Sequence, residues 1–493
     1  MELKGKTKMK KAVVGCWLLA VSAAGTVMAA PCEISTWTDI RFTTGTNCLA
    51  VLPLKPVGTL RHKSAAEVGE AGWVICGGGP ERGFSFWSEY RDYIAPLGIA
   101  AYRVQANWAR TEQKTGEFDF AWIDEVVDYC AANGIRPILE LSYGNPIHPN
   151  GGGATLRGKF PSGEGLKLWD DWVDRITKRY RGRVQDWAGW NEPDIRNANA
   201  IEDIAAFCAR TAKIIRRNIP DAHIAGLSLA QCNPDYIERL LELTGRENLK
   251  LYDSFVYHGY VYNPESVYPR VEDVRLALAK YAPHVRLWQG ENGAPSEWNG
   301  VGAIGKHDWS EISQAKWDLR RMLGDKARGI RCSLFCITDF LRPGTDEQNH
   351  KGLLRINDAR KTTGVKLAYS SVQNLVSVFD SKVRKLPEAL WCERNSIEKF
   401  AFTREGHPIF VFWDAGDREN TVPSGTLQSR PMTLYWAKGR PLEDPVWVDL
   451  LSGKVYEYPA ARQSVTPGIV TFTMVPYCDS PCLLTERAAL ELQ

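Results

Sequence analysis

The segment Val184-Gln185-Asp186-Trp187-Ala188-Gly189-Trp190-Asn191-Glu192-Pro193-Asp194 decides the reading of this chain. Its first seven residues form a short, largely apolar run of strand length and its last four turn polar, so it reads as a buried strand delivering a carboxylate to a loop. Three similar runs precede it, at 73–76, 101–104 and 137–141, and four follow, at 224–229, 254–258, 285–289 and 332–338. Between them lie stretches with the period of an amphipathic helix. Trp122, Ile123, Val126, Val127 and Cys130 share one face before an Asn133-Gly134 stop, and Trp169, Trp172, Val173 and Ile176 share another. A last helical stretch, 365–378, closes the series. Eight strand-then-helix units predict an α/β fold, a (β/α)8 TIM barrel over residues 71–382. An open doubly wound sheet has no reason to stop at eight.

Over residues 383–493 short alternating segments (400–403, 408–413, 433–436, 446–451, 454–458 and 469–474), separated by Gly, Pro and Asp, predict a C-terminal antiparallel β-sandwich packed closely on the barrel. Residues 30–70 form a Pro- and Gly-punctuated lead-in segment. Ahead of it, Lys4, Lys6, Lys8, Lys10 and Lys11 precede an apolar stretch with small residues up to Ala29, the pattern of a bacterial-type secretory signal peptide over residues 1–29. The expectation is a secreted or periplasmic protein, cleaved after Ala29 and without stable membrane association afterwards.

The 493 residues carry 61 Lys and Arg against 58 Asp and Glu. Removing residues 1–29, with five Lys and one Glu, leaves 56 basic and 57 acidic residues, a net charge of −1. No basic run interrupts the body of the chain, so a nucleic-acid partner is not expected. A near-neutral chain suits an uncharged polysaccharide. Of the 12 Cys, Cys16 falls in the leader and most others sit in apolar runs as small hydrophobes. Cys478 with Cys482, and Cys32 with Cys48, are candidate bridges whose connectivity the sequence does not fix. No C-x-x-C or H-x-x-x-H spacing occurs, so neither a metal nor any other cofactor is expected.

Reactive groups in such a barrel stand at the C-terminal strand ends. The fourth run ends at Asn191-Glu192-Pro193 and the seventh at Gly290-Glu291-Asn292, so two carboxylates emerge at one mouth from strands three apart. Retaining glycoside hydrolysis needs this pairing: one carboxyl protonates the leaving oxygen, and the other attacks the anomeric carbon. The Asn-Glu-Pro signature on strand four, with a Glu closing strand seven, resembles the large clan of retaining (β/α)8 glycosidases that includes glycoside hydrolase families 5 and 39, over residues 70–380. The resemblance implies Glu192 as acid/base, Glu291 as nucleophile and Asn191 as partner of the sugar 2-hydroxyl. It also implies that Arg103, in the second run, keeps the nucleophile ionised, although a charge inside an apolar strand requires a buried carboxylate on any reading. The sixth run ends Tyr257-His258-Gly259-Tyr260, matching the clan's His-x-Tyr pattern. His258 is thereby placed in the site, and Tyr260 is expected to donate to Glu291.

Two departures stand out. After strand three the chain reads Ser142-Tyr143-Gly144-Asn145-Pro146-Ile147-His148, so Tyr143, Asn145 or His148 is a candidate to line the site. Strand eight ends Ile337-Thr338-Asp339-Phe340 where the clan often has a Trp, leaving Phe340 or a loop aromatic to floor the sugar subsite. Eighteen Trp are many for this length. Trp108, Trp190 and Trp288 stand at strand ends and either stack on sugar faces or pack the core. The Gly77-Gly78-Gly79 cluster is expected to let a ligand approach the loop after strand one. These features predict a retaining glycoside hydrolase cleaving β-linked O-glycosidic bonds of oligo- or polysaccharides. The alternatives are a catalytically silent sugar-binding barrel and a transglycosidase with the same residues.

Overall fold

The computed structural model describes the backbone of residues 32–34 and residues 54–493 apart from 299, 301, 346, 388, 418–420, 426 and 438. The leader and the candidate partner Cys48 lie outside the described residues. Each of the eight apolar runs forms a parallel strand, and the strands close into one barrel: Trp73–Cys76, Ala101–Ala106, Arg136–Leu141, Asp186–Ala188, His223–Leu229, Ser254–Tyr257, Arg286–Asn292 and Arg331–Leu334. The last strand pairs with the first, Cys332 opposite Trp73.

Side chains fill the interior. Val74, Ala101, Ile138, Ala188, Ala225, Val256 and Trp288 form one buried cluster, one residue from each of the first seven strands. The three alanines leave room for the single indole, so volume is matched across the layer. At the N-terminal end Asp186 collects Arg136, Arg331 at 2.9 Å and His223 at 3.3 Å. Helices Ala121–Ala132, Glu164–Tyr180, Ile201–Asn218, Pro234–Leu249, Tyr268–Tyr281, Glu311–Ala327 and Leu367–Val378 follow the second to the eighth strands. Short turns at Trp87–Tyr90 and Arg91–Tyr93 take that place after the first. The predicted apolar faces are the ones buried: Ile123, Val126, Val127 and Cys130 on one helix, Trp169, Trp172, Val173 and Ile176 on another. Among the described residues no helix is long and apolar enough to cross a membrane.

The C-terminal region is a two-sheet antiparallel assembly. One sheet runs Val383–Lys385, Ile397–Arg404, His407–Asp414, Cys482–Glu486, Pro445–Asp449, Lys454–Glu457 and then Pro56–Thr59. The other carries Leu427–Ala437, Ile469–Tyr477 and Gln463–Thr466, with Cys32–Ile34 on its edge. The lead-in therefore supplies strands to the sandwich. Pro56-Val57-Gly58-Thr59 has no alternating pattern to announce a strand, and the sheet edge it completes was formed by residues almost 400 positions later. Cys478 and Cys482 are free thiols with sulfurs 3.8 Å apart, so this candidate bridge is not present. Barrel and sandwich meet through a buried polar contact: Glu265, held by Arg320 of the barrel at 2.9 Å, accepts from the Trp413 indole of the sandwich at 2.7 Å.

Candidate active site

Two irregularities in the barrel wall aim the central carboxylates. Pairing between the seventh and eighth strands shifts register between Cys332–Gln289 and Leu334–Asn292, so Glu291 sits on a bulge, a device that re-aims a side chain. Gly290 permits it, because a Cβ there would lie 2.3 Å from Val256 Cγ1. The fifth strand bulges at Leu227, and the Ser228 carbonyl just beyond accepts the Glu192 N–H at 2.8 Å. Glu192 itself takes φ 48°, a conformation a residue with a Cβ seldom adopts and which the surrounding structure must hold.

The two glutamates are buried, and with His258 they place one ligand atom each within 4.8 Å of one another. His258 Nδ1 lies 2.8 Å from Glu192 Oε1 and 3.9 Å from Glu291 Oε2. Tyr260 donates its hydroxyl to Glu291 Oε1 at 3.2 Å. Arg103 ties the floor together, donating to Glu291 Oε2 at 3.1 Å, to both oxygens of Glu140 at 2.7 Å and to Asn191 Oδ1 at 2.8 Å. Asn191 in turn donates to the Tyr143 hydroxyl at 2.9 Å.

Burial is the largest influence on Glu291 and pushes its pKa up, but His258, Arg103 and Tyr260 outweigh it and hold the carboxyl below its ordinary value. For His258 burial pulls down, and the neighbouring Glu291 and Glu192 carry the imidazole above its usual value. Burial drives the Cys76 thiol beside Arg103 up to about 12, which keeps it neutral. Glu192, His258 and Glu291 are also the one trio among the described residues whose donor atoms are close enough for a cation. The Arg103 guanidinium already supplies positive charge to Glu291 there, and the set suits proton transfer.

Arg103, Asn191, Glu192, His258, Tyr260, Glu291 and Tyr143 thus come together around one mouth, which opens into a cavity of 710 Å³. Other candidates lie elsewhere. Trp108 is fully buried beneath the loop after strand two, donating to Glu112 at 2.7 Å with its ring against His148 and Trp172. Asn145 donates to the Glu112 carbonyl at 2.8 Å, and His148 meets the Glu112 carboxylate at 3.0 Å, so both brace loops. Trp288 fills the barrel interior with its N–H on Ser333 at 2.8 Å, and Trp190 packs among Tyr143, Phe160 and Trp169. Gly77 and Gly78 pack tightly against Tyr102 and Thr338, so their smallness serves the protein's own packing. The aromatic wall comes instead from Tyr143, Tyr260, Phe84, Phe335 and Phe340, with Phe340 stacked on Phe84 at 5.6 Å.

Sequence reasoning missed Glu140, the buried carboxylate that Arg103 demanded. The signal was present, since Glu140 interrupts the apolar run 137–141. Arg82 and Lys351 were missed as well; they reach the cavity from loops, where no periodicity points to them.

A buried pair of carboxylates at the C-terminal mouth of a closed parallel barrel is an arrangement that glycoside hydrolysis can use. Residues 96–275 match the model of the family described as glycosyl hydrolases family 39, a span holding Arg103, Glu140, Glu192 and His258. Among solved structures the chain resembles a family 39 glycoside hydrolase of the gut symbiont Bacteroides cellulosilyticus WH2 (TM-score 0.64, 16% identity, 87% of this chain and 83% of that one). It also resembles a family 30 endoxylanase of Clostridium papyrosolvens C71 (0.56, 11%, 88% and 98%) and SrfJ of Salmonella typhimurium (0.52, 12%, 88% and 92%). These likenesses establish the fold. No curated protein sequence matches the chain. With its family match and its barrel, the chain is a glycoside hydrolase of the (β/α)8 clan that includes families 5 and 39.

Proposed function

We propose that this glycosidase cleaves β-linked O-glycosidic bonds of oligo- or polysaccharides with retention of configuration. The observation that carries the proposal is the placing of a Glu192 and a Glu291 oxygen within 4.8 Å. An inverting enzyme needs about 6.5–9.5 Å between its carboxyls to admit a water, whereas a retaining one works at about 5–5.5 Å. Glu291, kept ionised by its donors, attacks the anomeric carbon as Glu192 passes a proton to the departing oxygen and the glycosidic bond breaks. Glu192, now a carboxylate, then removes a proton from water as the water oxygen attacks the same carbon and Glu291 leaves. His258 is the neighbour through which Glu192 is held in place between these two roles. Asn191, fixed by Arg103 and Tyr143, faces the sugar 2-hydroxyl. The same proposal makes residues 1–29 a cleaved export signal and the enzyme secreted or periplasmic.

Replacing Glu291 with Ala is expected to lower kcat by about 10⁴-fold or more. Azide added to that variant should yield a glycosyl azide of inverted configuration, whereas azide with Glu192→Ala should yield the retained one. Direct release of an inverted sugar by the wild-type enzyme, read by NMR, would rule out retention.

A further inference from the structure

The cavity above the two glutamates is basic. Arg82, Arg157, Arg196, Lys306, Arg342 and Lys351 line it, against one acid besides the central pair, Glu347. Arg82 is paired with Glu81 at 2.6 Å and Arg342 with Glu347 at 2.9 Å. Arg157, Arg196 and Lys306 are exposed and have no carboxylate partner among the described residues. Lys351 is of another kind. It is only 2% exposed, its Nζ donates to the Ala303 carbonyl at 2.5 Å, and no carboxylate pairs with it among the described residues. The same Nζ stands 5.6 Å from the centre of the Tyr260 ring, whose hydroxyl donates to Glu291.

An ammonium has three donors and is strongly hydrated, so burying it beside one neutral carbonyl is unfavourable until an anion completes its shell. Burial, the largest influence on it, pulls the Lys351 pKa down to about 8, against the weaker upward pull of Cys336, Asp318 and Glu291. A neutral sugar offers hydroxyls to this group but no counter-charge. The three unpaired cations at the rim add a field of the same sign, which concentrates anions at the mouth.

We propose that the glycan cleaved here carries an anionic substituent, a carboxylate or a sulfate ester, at or beside the broken bond. Lys351 holds that substituent, and Arg157, Arg196 and Lys306 draw in the rest of the acidic chain. This rests on the glycosidase reading above and names its substrate class.

Calorimetric titration of the Glu291→Gln enzyme tests it with two matched pairs. One is a β-linked glucuronate-containing oligosaccharide and its carboxyl-reduced form; the other is a sulfated oligosaccharide and its desulfated form. An anionic member should bind about 10- to 100-fold tighter than its neutral twin, the scale of a hydrogen bond to a charged group. The pair that shows the preference separates carboxylate from sulfate. Adding Lys351→Met should remove most of the preference, and Lys351→Arg should restore part of it. Because a buried substitution can impair folding, Arg196→Ala with Lys306→Ala, both at exposed positions, should also reduce the preference and its sensitivity to salt. Equal or undetectable binding of both members in both pairs, or a preference untouched by Lys351→Met, would overturn the proposal. Hydrolysis of the same four compounds by the wild-type enzyme reports separately. Turnover of the neutral forms without preference overturns the anionic substrate and leaves the glycosidase standing, while a binding preference with no turnover of any compound does the reverse.

Discussion

The charges at the centre of this site are held in place by one another. Arg103 balances Glu140 and Glu291 and fixes Asn191 in the same plane of contacts. Removing it strands buried carboxylates, so Arg103→Met should cost about 3–5 kcal/mol of stability in urea unfolding as well as activity. Tyr260→Phe is milder and more telling. It deletes one of the donors that hold Glu291 below its ordinary pKa, so the acidic limb of kcat/KM should move to higher pH while the fold is kept. An unmoved limb would mean that Tyr260 acts on the sugar and not on the carboxylate. At this scale strand-end position pointed to Glu192 and Glu291, and the resemblance to the clan added Arg103, His258 and Tyr260. It also required a buried partner for Arg103 without locating Glu140, since alternation says which residues are inside but not which of them touch.

At the scale of elements, the tryptophans show what a strand end does not determine. Trp288 and Glu291 lie on the same strand, yet the bulge between them sends one to the barrel interior and the other to the mouth. Trp288→Ala should therefore cost about 3–5 kcal/mol, as a large core truncation does, and leave KM for those molecules that fold close to wild type. A raised KM with unchanged stability would return the indole to the sugar site. Trp108 and His148 hang on Glu112, and this knot shapes the loop after strand three. Strand and helix positions were readable from period alone. Loop conformation was not, and Arg82, Lys351 and Phe335 all reach the cavity from loops.

At the scale of the whole molecule, charge ties the ends of the described chain together. Lys63 sits between Asp380 at 2.9 Å and Glu491 at 2.8 Å, and Arg404 from the sandwich meets the same two carboxylates. For Asp380 burial pushes upward, but Arg404 and Lys63 prevail and depress it; Glu491, bonded first by Lys63, falls to about 2. Depressed carboxylates stabilise the fold fully above their unfolded-state values of about 4, and that contribution disappears as pH falls through the folded values. Lys63→Met should therefore cost about 3 kcal/mol at neutral pH, and its gap from wild type in urea unfolding should narrow as the pH drops from about 4 toward 2. A gap constant across that window would show that packing, not charge, holds the junction. The sequence alone determined the barrel, the sandwich and the two glutamates, because burial periodicity and strand-end position are properties of local order. Only the tertiary structure recruited Pro56–Thr59 to a sheet built from the far end of the chain, brought Glu140 under Arg103 and left Lys351 buried with no ion-paired carboxylate among the described residues. Those depend on which distant segments meet. The whole-chain charge near zero, which suited a neutral glycan, hid a basic cavity because net charge is a sum and a binding site responds to the local field.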